Sequence, residues 1–206
     1  MIGFYNYTVI LTYIGAGCAL FGIYSAVGNS NPSLAMLMLM LAGLCDMFDG
    51  TVAKTRKRTV QEKRFGIQID SLSDLICFGV LPAVIGYNLG MQNNVAYYIV
   101  LICYTLAALI RLAYFNVMEE ERQQTTGGPR TYYEGLPVTN VALILPLVYS
   151  FRSYMVPYFP QVYAVCLALI AVAFVLKFKV IKLKLKGMLV CLVVGIAEFV
   201  WFVMGF

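Results

Sequence analysis

The sequence predicts an all-α fold, a polytopic transmembrane helical bundle with its N-terminus cytoplasmic, and three observations carry that reading. Of the 206 residues, 61% are apolar and only 12% are charged, and the mean hydropathy is +0.81, far outside the range of soluble domains. Apolar runs of about 17 to 25 residues, enough to span a hydrocarbon core of roughly 30 Å, recur along the whole chain. The basic residues gather in alternate connections between those runs.

Seven runs are expected, at about 5 to 28, 33 to 54, 66 to 90, 95 to 118, 136 to 153, 158 to 176 and 187 to 205. The first follows four residues with no basic segment before it and no small-residue cleavage site after it, so it reads as a retained helix rather than a removed signal peptide. Pro146, Pro157 and Pro160 interrupt the stretch from 136 to 176, and six or eight spans are also compatible with the pattern. Residues 1 to 206 read as a single integral membrane domain. Cys18, Cys45, Cys77, Cys103, Cys166 and Cys191 all lie in or beside apolar runs with no C-x-x-C pair, which gives neither a zinc pattern nor a disulfide framework. They read as packing residues.

Lys54, Arg56, Lys57, Arg58, Lys63 and Arg64 surround the second connection, Arg122 and Arg130 lie in the fourth, and Lys177, Lys179, Lys182, Lys184 and Lys186 fill the sixth. With Arg111 near the end of the fourth run, only Arg152 falls elsewhere. The positive-inside rule makes these connections cytoplasmic. The net charge of +5 is then a topology signal with some attraction to anionic membrane lipid, and no motif supports binding to nucleic acid.

All four aspartates, Asp46, Asp49, Asp70 and Asp74, fall in one stretch that reads D-M-F-D-G-T-V-A-K and then G-I-Q-I-D-S-L-S-D. Acids flanked by membrane-grade sequence are expensive and mark function by default. Asp46, Asp49 and Ala53 share one face of the second helix, and Asp70 and Asp74 are one turn apart on the third. A short basic connection makes these helices antiparallel neighbours, so the two acidic pairs meet at one depth near the cytoplasmic surface. Four carboxylates so placed repel unless a cation joins them. Oxygen-only ligation suits Mg²⁺ or Mn²⁺, and the chain has no histidine to favour zinc. Gly50 and Gly66 remove side chains beside the aspartates and let a ligand approach the backbone.

These strings resemble the signature D-x-x-D-G-x-x-A-R…G-x-x-x-D-x-x-x-D of the CDP-alcohol phosphotransferases. Seven of its eight motif positions match, with Lys54 in place of the usual Arg and a longer gap before Gly66. The run from Phe78 to Ala83 (F-G-V-L-P-A), R-L-A-Y-F-N from Arg111 and E-G-L-P from Glu134 resemble blocks of the branch that uses serine as acceptor, the phosphatidylserine synthases. Tyr114 stands where that branch usually has Arg, and Val9 where the first helix of the family usually has Asn.

The resemblance implies a metal-dependent transfer of the phosphatidyl group from CDP-diacylglycerol to L-serine. It makes Asp46, Asp49, Asp70 and Asp74 metal ligands, with Asp74 also the general base. Gly50, Ala53, Lys54, Gly66 and Thr12 become CDP-binding residues, and Arg111, Asn116 and Arg130 headgroup contacts. It further implies a homodimer in the cell membrane. Arg111 is the leading candidate to contact an anion, serine's carboxylate or a lipid phosphate, and the alternative is an arginine that snorkels to the interface. Glu198, an acid in the last run, reads as a helix-contact or oligomer residue. Two other functions stay open: a sibling transferase using glycerol 3-phosphate or an inositol phosphate, and a divalent-cation transporter whose path the aspartates would line.

Overall fold

A computed structural model describes residues 3–125, 132–181 and 185–204. After a 3₁₀ turn at Tyr7–Val9, α1 (Ile10–Asn29) and α2 (Pro32–Ala53) form an antiparallel pair. The reversal between them is local chemistry. Ser30 takes the left-handed conformation that ends α1, the Asn31 side chain accepts from Leu34 N at 3.0 Å, and Pro32 sits at the first helical position where its missing N–H matters least. The two helices approach closely because glycines face the contact: a Cβ on Gly22 would lie 2.9 Å from that of Met38, and one on Gly15 would lie 3.2 Å from that of Cys45.

α3 (Val60–Asp74) starts from a capping box, with Glu62 N donating to Thr59 Oγ1 at 3.2 Å and Thr59 N donating to Glu62 Oε2 at 2.8 Å. It runs without a break through a π-helical turn at Leu75–Val80 into α4 (Leu81–Asn88), so the third apolar run is a span from Val60 to Asn88 that begins six residues earlier than the hydropathy pattern indicates. The π turn has an identifiable cause. Pro82 has no N–H to return to Phe78 O, and the helix widens before it. Tyr104 of α5 (Val95–Thr125) supplies the missing donor to Phe78 O at 2.5 Å, and Thr105 donates to Gly79 O at 3.3 Å. Tyr163 of α7 (Phe159–Val175) donates to Pro82 O at 3.1 Å. Tyr104, Tyr163, Phe78, Met36 and Leu39 are fully buried in this core.

α6 (Val141–Ser150) is shorter than its apolar run because Pro137 and a 3₁₀ turn at Val138–Asn140 precede it. It crosses α2 at Gly43, where a Cβ would stand 2.4 Å from that of Ala142. α8 (Leu185–Val203) packs against α2 and α6. Among the described residues, four helical segments are long and apolar enough to cross a membrane, and Val138–Ser150, Phe159–Val175 and Leu192–Trp201 are shorter apolar helices, so each of the seven runs contains a helix. The chain is thus a multi-pass helical membrane protein. Among the described residues, the departure from an all-helical reading is a two-stranded antiparallel ribbon, β1 (Tyr132–Glu134) with β2 (Lys179–Ile181), which joins the fourth and sixth connections. The five described cysteines are free, and Cys77 is buried.

Substituting Tyr104→Phe keeps the ring and removes the donor to Phe78 O. The orphaned buried carbonyl should lower stability by about 1–3 kcal/mol, read as a lower denaturation midpoint of the detergent-solubilised protein. An unchanged midpoint would show that the π turn does not need this bond.

Candidate active site

The α2–α3 hairpin brings carboxylate oxygens of Asp46, Asp49 and Asp70 within 4.8 Å of one another. Asp74, one turn beyond Asp70, is within hydrogen-bonding reach of Asp46, and Asp49 is within reach of Asp70. The four acids therefore meet as the helical spacing predicts. Asp49 is buried, at 9% exposure, and the other three are half-buried. Two threonine hydroxyls reach the cluster from other elements. Thr12 of α1 donates to Asp49 Oδ2 at 3.2 Å, and Thr139 donates to Asp46 Oδ2 at 2.6 Å. Ser73 Oγ donates to the Thr12 carbonyl at 3.3 Å, tying α3 to α1 behind the site.

A cavity of about 700 Å³ opens from the cluster. Its lining includes the charged and polar side chains of Asp46, Asp70, Asp74, Lys54, Arg111 and Thr139. It also includes many apolar ones, among them Met40, Leu44, Leu143, Leu192, Ile196 and Phe199 from α2, α6 and α8. The oxygens of three carboxylates gathered at this spacing fit a hard divalent ion, which would offset their mutual repulsion and leave coordination positions for phosphate oxygens.

The other residues singled out by sequence divide into two groups. Gly50, Lys54 and Arg111 line the cavity. At Gly50 an added Cβ would meet nothing within 4 Å, so this face is open to a ligand. Arg111 is 6% exposed and its Nε donates to Leu136 O at 3.2 Å, so it is buried in the protein rather than snorkelling to the interface. Thr12 serves Asp49 from outside the cavity. Ala53, Gly66 and Asn116 do not line it. The bare face of Gly66 is met by Arg58, whose Nη1 would lie 3.0 Å from an added Cβ, and Asn116 Oδ1 accepts from Ser71 Oγ at 2.9 Å. Arg130 lies outside the described residues. Val9, at 4% exposure, is a packing residue at the start of α1, and the Tyr114 ring lies 5.2 Å below Lys177 Nζ. Glu198 is half-buried in α8, with Oε2 shielded from solvent and without a hydrogen-bond partner among the described residues.

Sequence reasoning missed Thr139, the α8 wall of the cavity, and the way residues 135–140 are anchored. Gly135 N donates to Phe178 O at 2.7 Å and Leu136 N to Ala173 O at 3.2 Å, which pins this segment to the end of α7. The E-G-L-P block marked the segment. Nothing in the spacing of a pair 93 positions apart could have put Thr139 beside Asp46.

The family model for CDP-alcohol phosphatidyltransferase matches residues 5–181. A CDP-diacylglycerol–serine O-phosphatidyltransferase of Saccharomyces cerevisiae is 38% identical over 117 residues, covering 55% of this chain and 41% of the relative. An archaetidylserine synthase of Methanothermobacter thermautotrophicus is 32% identical over 140 residues, covering 68% and 56%. A CDP-diacylglycerol–serine O-phosphatidyltransferase of Helicobacter pylori is 31% identical over 119 residues, covering 55% and 45%. The chain spans about half the length of these curated relatives. Because the model match runs from before α1 into β2 and takes in the whole acidic hairpin, the chain belongs to the CDP-alcohol phosphatidyltransferase family.

Proposed function

We propose that the protein transfers the phosphatidyl group of CDP-diacylglycerol to the hydroxyl of L-serine, giving phosphatidylserine and CMP. The observation that carries this reading is the cavity itself, whose lining joins carboxylates of the acidic cluster and two cations with many apolar side chains. That lining suits a substrate with a charged diphosphate head and long acyl chains. Serine as acceptor is supported by the relatives described above, all of which carry it in their names.

Asp46, Asp49 and Asp70, with Asp74 beside them, would hold Mg²⁺ or Mn²⁺. When bound, the ion offsets charge on the diphosphate and stabilises the departing phosphate. Lys54 and Arg111, which line the cavity, would hold phosphate oxygens or the serine carboxylate. The open face of Gly50 admits the nucleotide close to the backbone of α2. Asp74 takes the proton from the serine hydroxyl. The serine oxygen then forms a bond to the phosphorus that carries diacylglycerol, and the bond from that phosphorus to the bridging oxygen breaks, releasing CMP. Arg130 remains a headgroup contact in this reading, whereas Asn116 does not, because it lies outside the cavity lining and its Oδ1 accepts from Ser71 Oγ. A homodimer, residence in the cell membrane and a cytoplasm-facing site belong to the same proposal. The second, fourth and sixth connections, which carry most of the basic residues, all close the end of the bundle where the acids lie, which supports that orientation.

CMP release measured with serine, glycerol 3-phosphate and an inositol phosphate in turn separates serine transfer from its siblings. Turnover with serine alone is expected, and serine-independent turnover with glycerol 3-phosphate would replace this reading. Metal flux in proteoliposomes without any transferase activity would favour the transporter instead.

Asp74→Asn should lower kcat by about 10²–10⁴-fold with a smaller change in KM for CDP-diacylglycerol, since it removes a proton acceptor. Full turnover in that variant would rule Asp74 out as the base.

Chelation with EDTA should abolish CMP release, and Mg²⁺ or Mn²⁺ should restore it. Turnover that survives exhaustive chelation would show that the acids act without metal.

A further inference from the structure

We infer that Thr139 is a positioning residue for Asp46, and that residues 135–140 form a strap whose docking completes the metal site. The inference rests on the reading of Asp46 as a metal ligand. A carboxylate on a membrane helix can rotate about its terminal torsion, and an ion needs its lone pairs held in one direction. Thr139 Oγ1 sits 2.6 Å from Asp46 Oδ2, the short separation of a charge-assisted hydroxyl–carboxylate bond. That bond takes up one lone-pair direction and stops the rotation. A neutral hydroxyl suits the task because a lysine or arginine donor there would repel the ion it prepares the site for. Thr12 does the same for Asp49 from α1, so two ligands of the hairpin are held by hydroxyls that the hairpin does not contain.

Thr139 can reach Asp46 only because the strap is tied along its length. Gly135 N bonds Phe178 O, Leu136 N bonds Ala173 O, and Leu136 O accepts from Arg111 Nε. Gly135 has φ +75°, and a Cβ there would stand 2.9 Å from Leu176 O, so the strap turns against α7 at a point where only glycine fits. Pro137 then leads into the 3₁₀ turn that presents Thr139. Arg111 thus acts on Asp46 indirectly, through the strap, as well as lining the cavity.

The test is Mn²⁺ binding to the full-length, detergent-solubilised protein without substrate, followed by loss of the free-ion paramagnetic resonance signal. Thr139→Val should raise the Mn²⁺ dissociation constant by about 10–100-fold, and Thr139→Ser should recover most of that loss. Metal-free melting temperatures should stay close to wild type, which separates positioning from general damage. If the valine variant does not fold, Thr139→Ala supplies the same comparison without added bulk. Wild-type affinity in the valine or alanine variant, or a serine variant as weak as they are, would overturn the inference and leave the proposed activity standing. A wild-type protein that binds no Mn²⁺ would instead remove the metal reading, and the inference with it.

Discussion

Three carboxylates brought within 4.8 Å of one another at the end of two apolar helices form the constraint on which the rest of the structure depends. In water their repulsion would be screened, but beside a hydrocarbon core it is not. Each surrounding element contributes to holding the acids together. α1 provides a hydroxyl to Asp49, the strap provides one to Asp46, and α3 is tied back to α1 through Ser73. A divalent ion is the remaining component that this arrangement is suited to hold. The hairpin therefore makes sense only as part of the bundle, since the Thr12 and Thr139 hydroxyls that bond its acids come from elsewhere in the chain.

The same helix that carries Asp70 and Asp74 changes character directly after them. The π turn at Leu75–Val80 separates a polar, site-forming half from a core-forming half. Pro82 imposes the change by withholding a backbone donor, and the exposed carbonyls are taken up by hydroxyls of α5 and α7. These bonds link the position of Asp74 to the buried centre of the bundle. The base proposed at Asp74 would gain from such an attachment, because small displacements of a reacting group are costly.

The cavity combines charged and apolar lining for a simple reason. α2 contributes Asp46 together with Met40 and Leu44, while α8 adds Leu192, Ile196 and Phe199. Charged groups of a ligand can then meet the acids while its apolar parts lie against apolar side chains. Such a mixed lining suits a ligand that carries both a charged head and apolar tails.

Hydropathy alone established a multi-pass helical bundle, and helical spacing alone put Asp46 with Asp49 and Asp70 with Asp74. Both follow from local regularities of the chain, the length of an apolar run and the period of a helix. The acidic cluster was legible for the same reason, since a short connection leaves two helices little choice but to lie side by side. Tertiary structure decided what local pattern cannot encode. It placed Thr139 on Asp46 across 93 positions, buried Arg111 against the Leu136 carbonyl, turned Asn116 toward Ser71, and set Arg58 over the bare face of Gly66. Each of these depends on which helices pack together and at what depth, and that is fixed by glycine-mediated close approach and proline-freed carbonyls acting over the whole bundle.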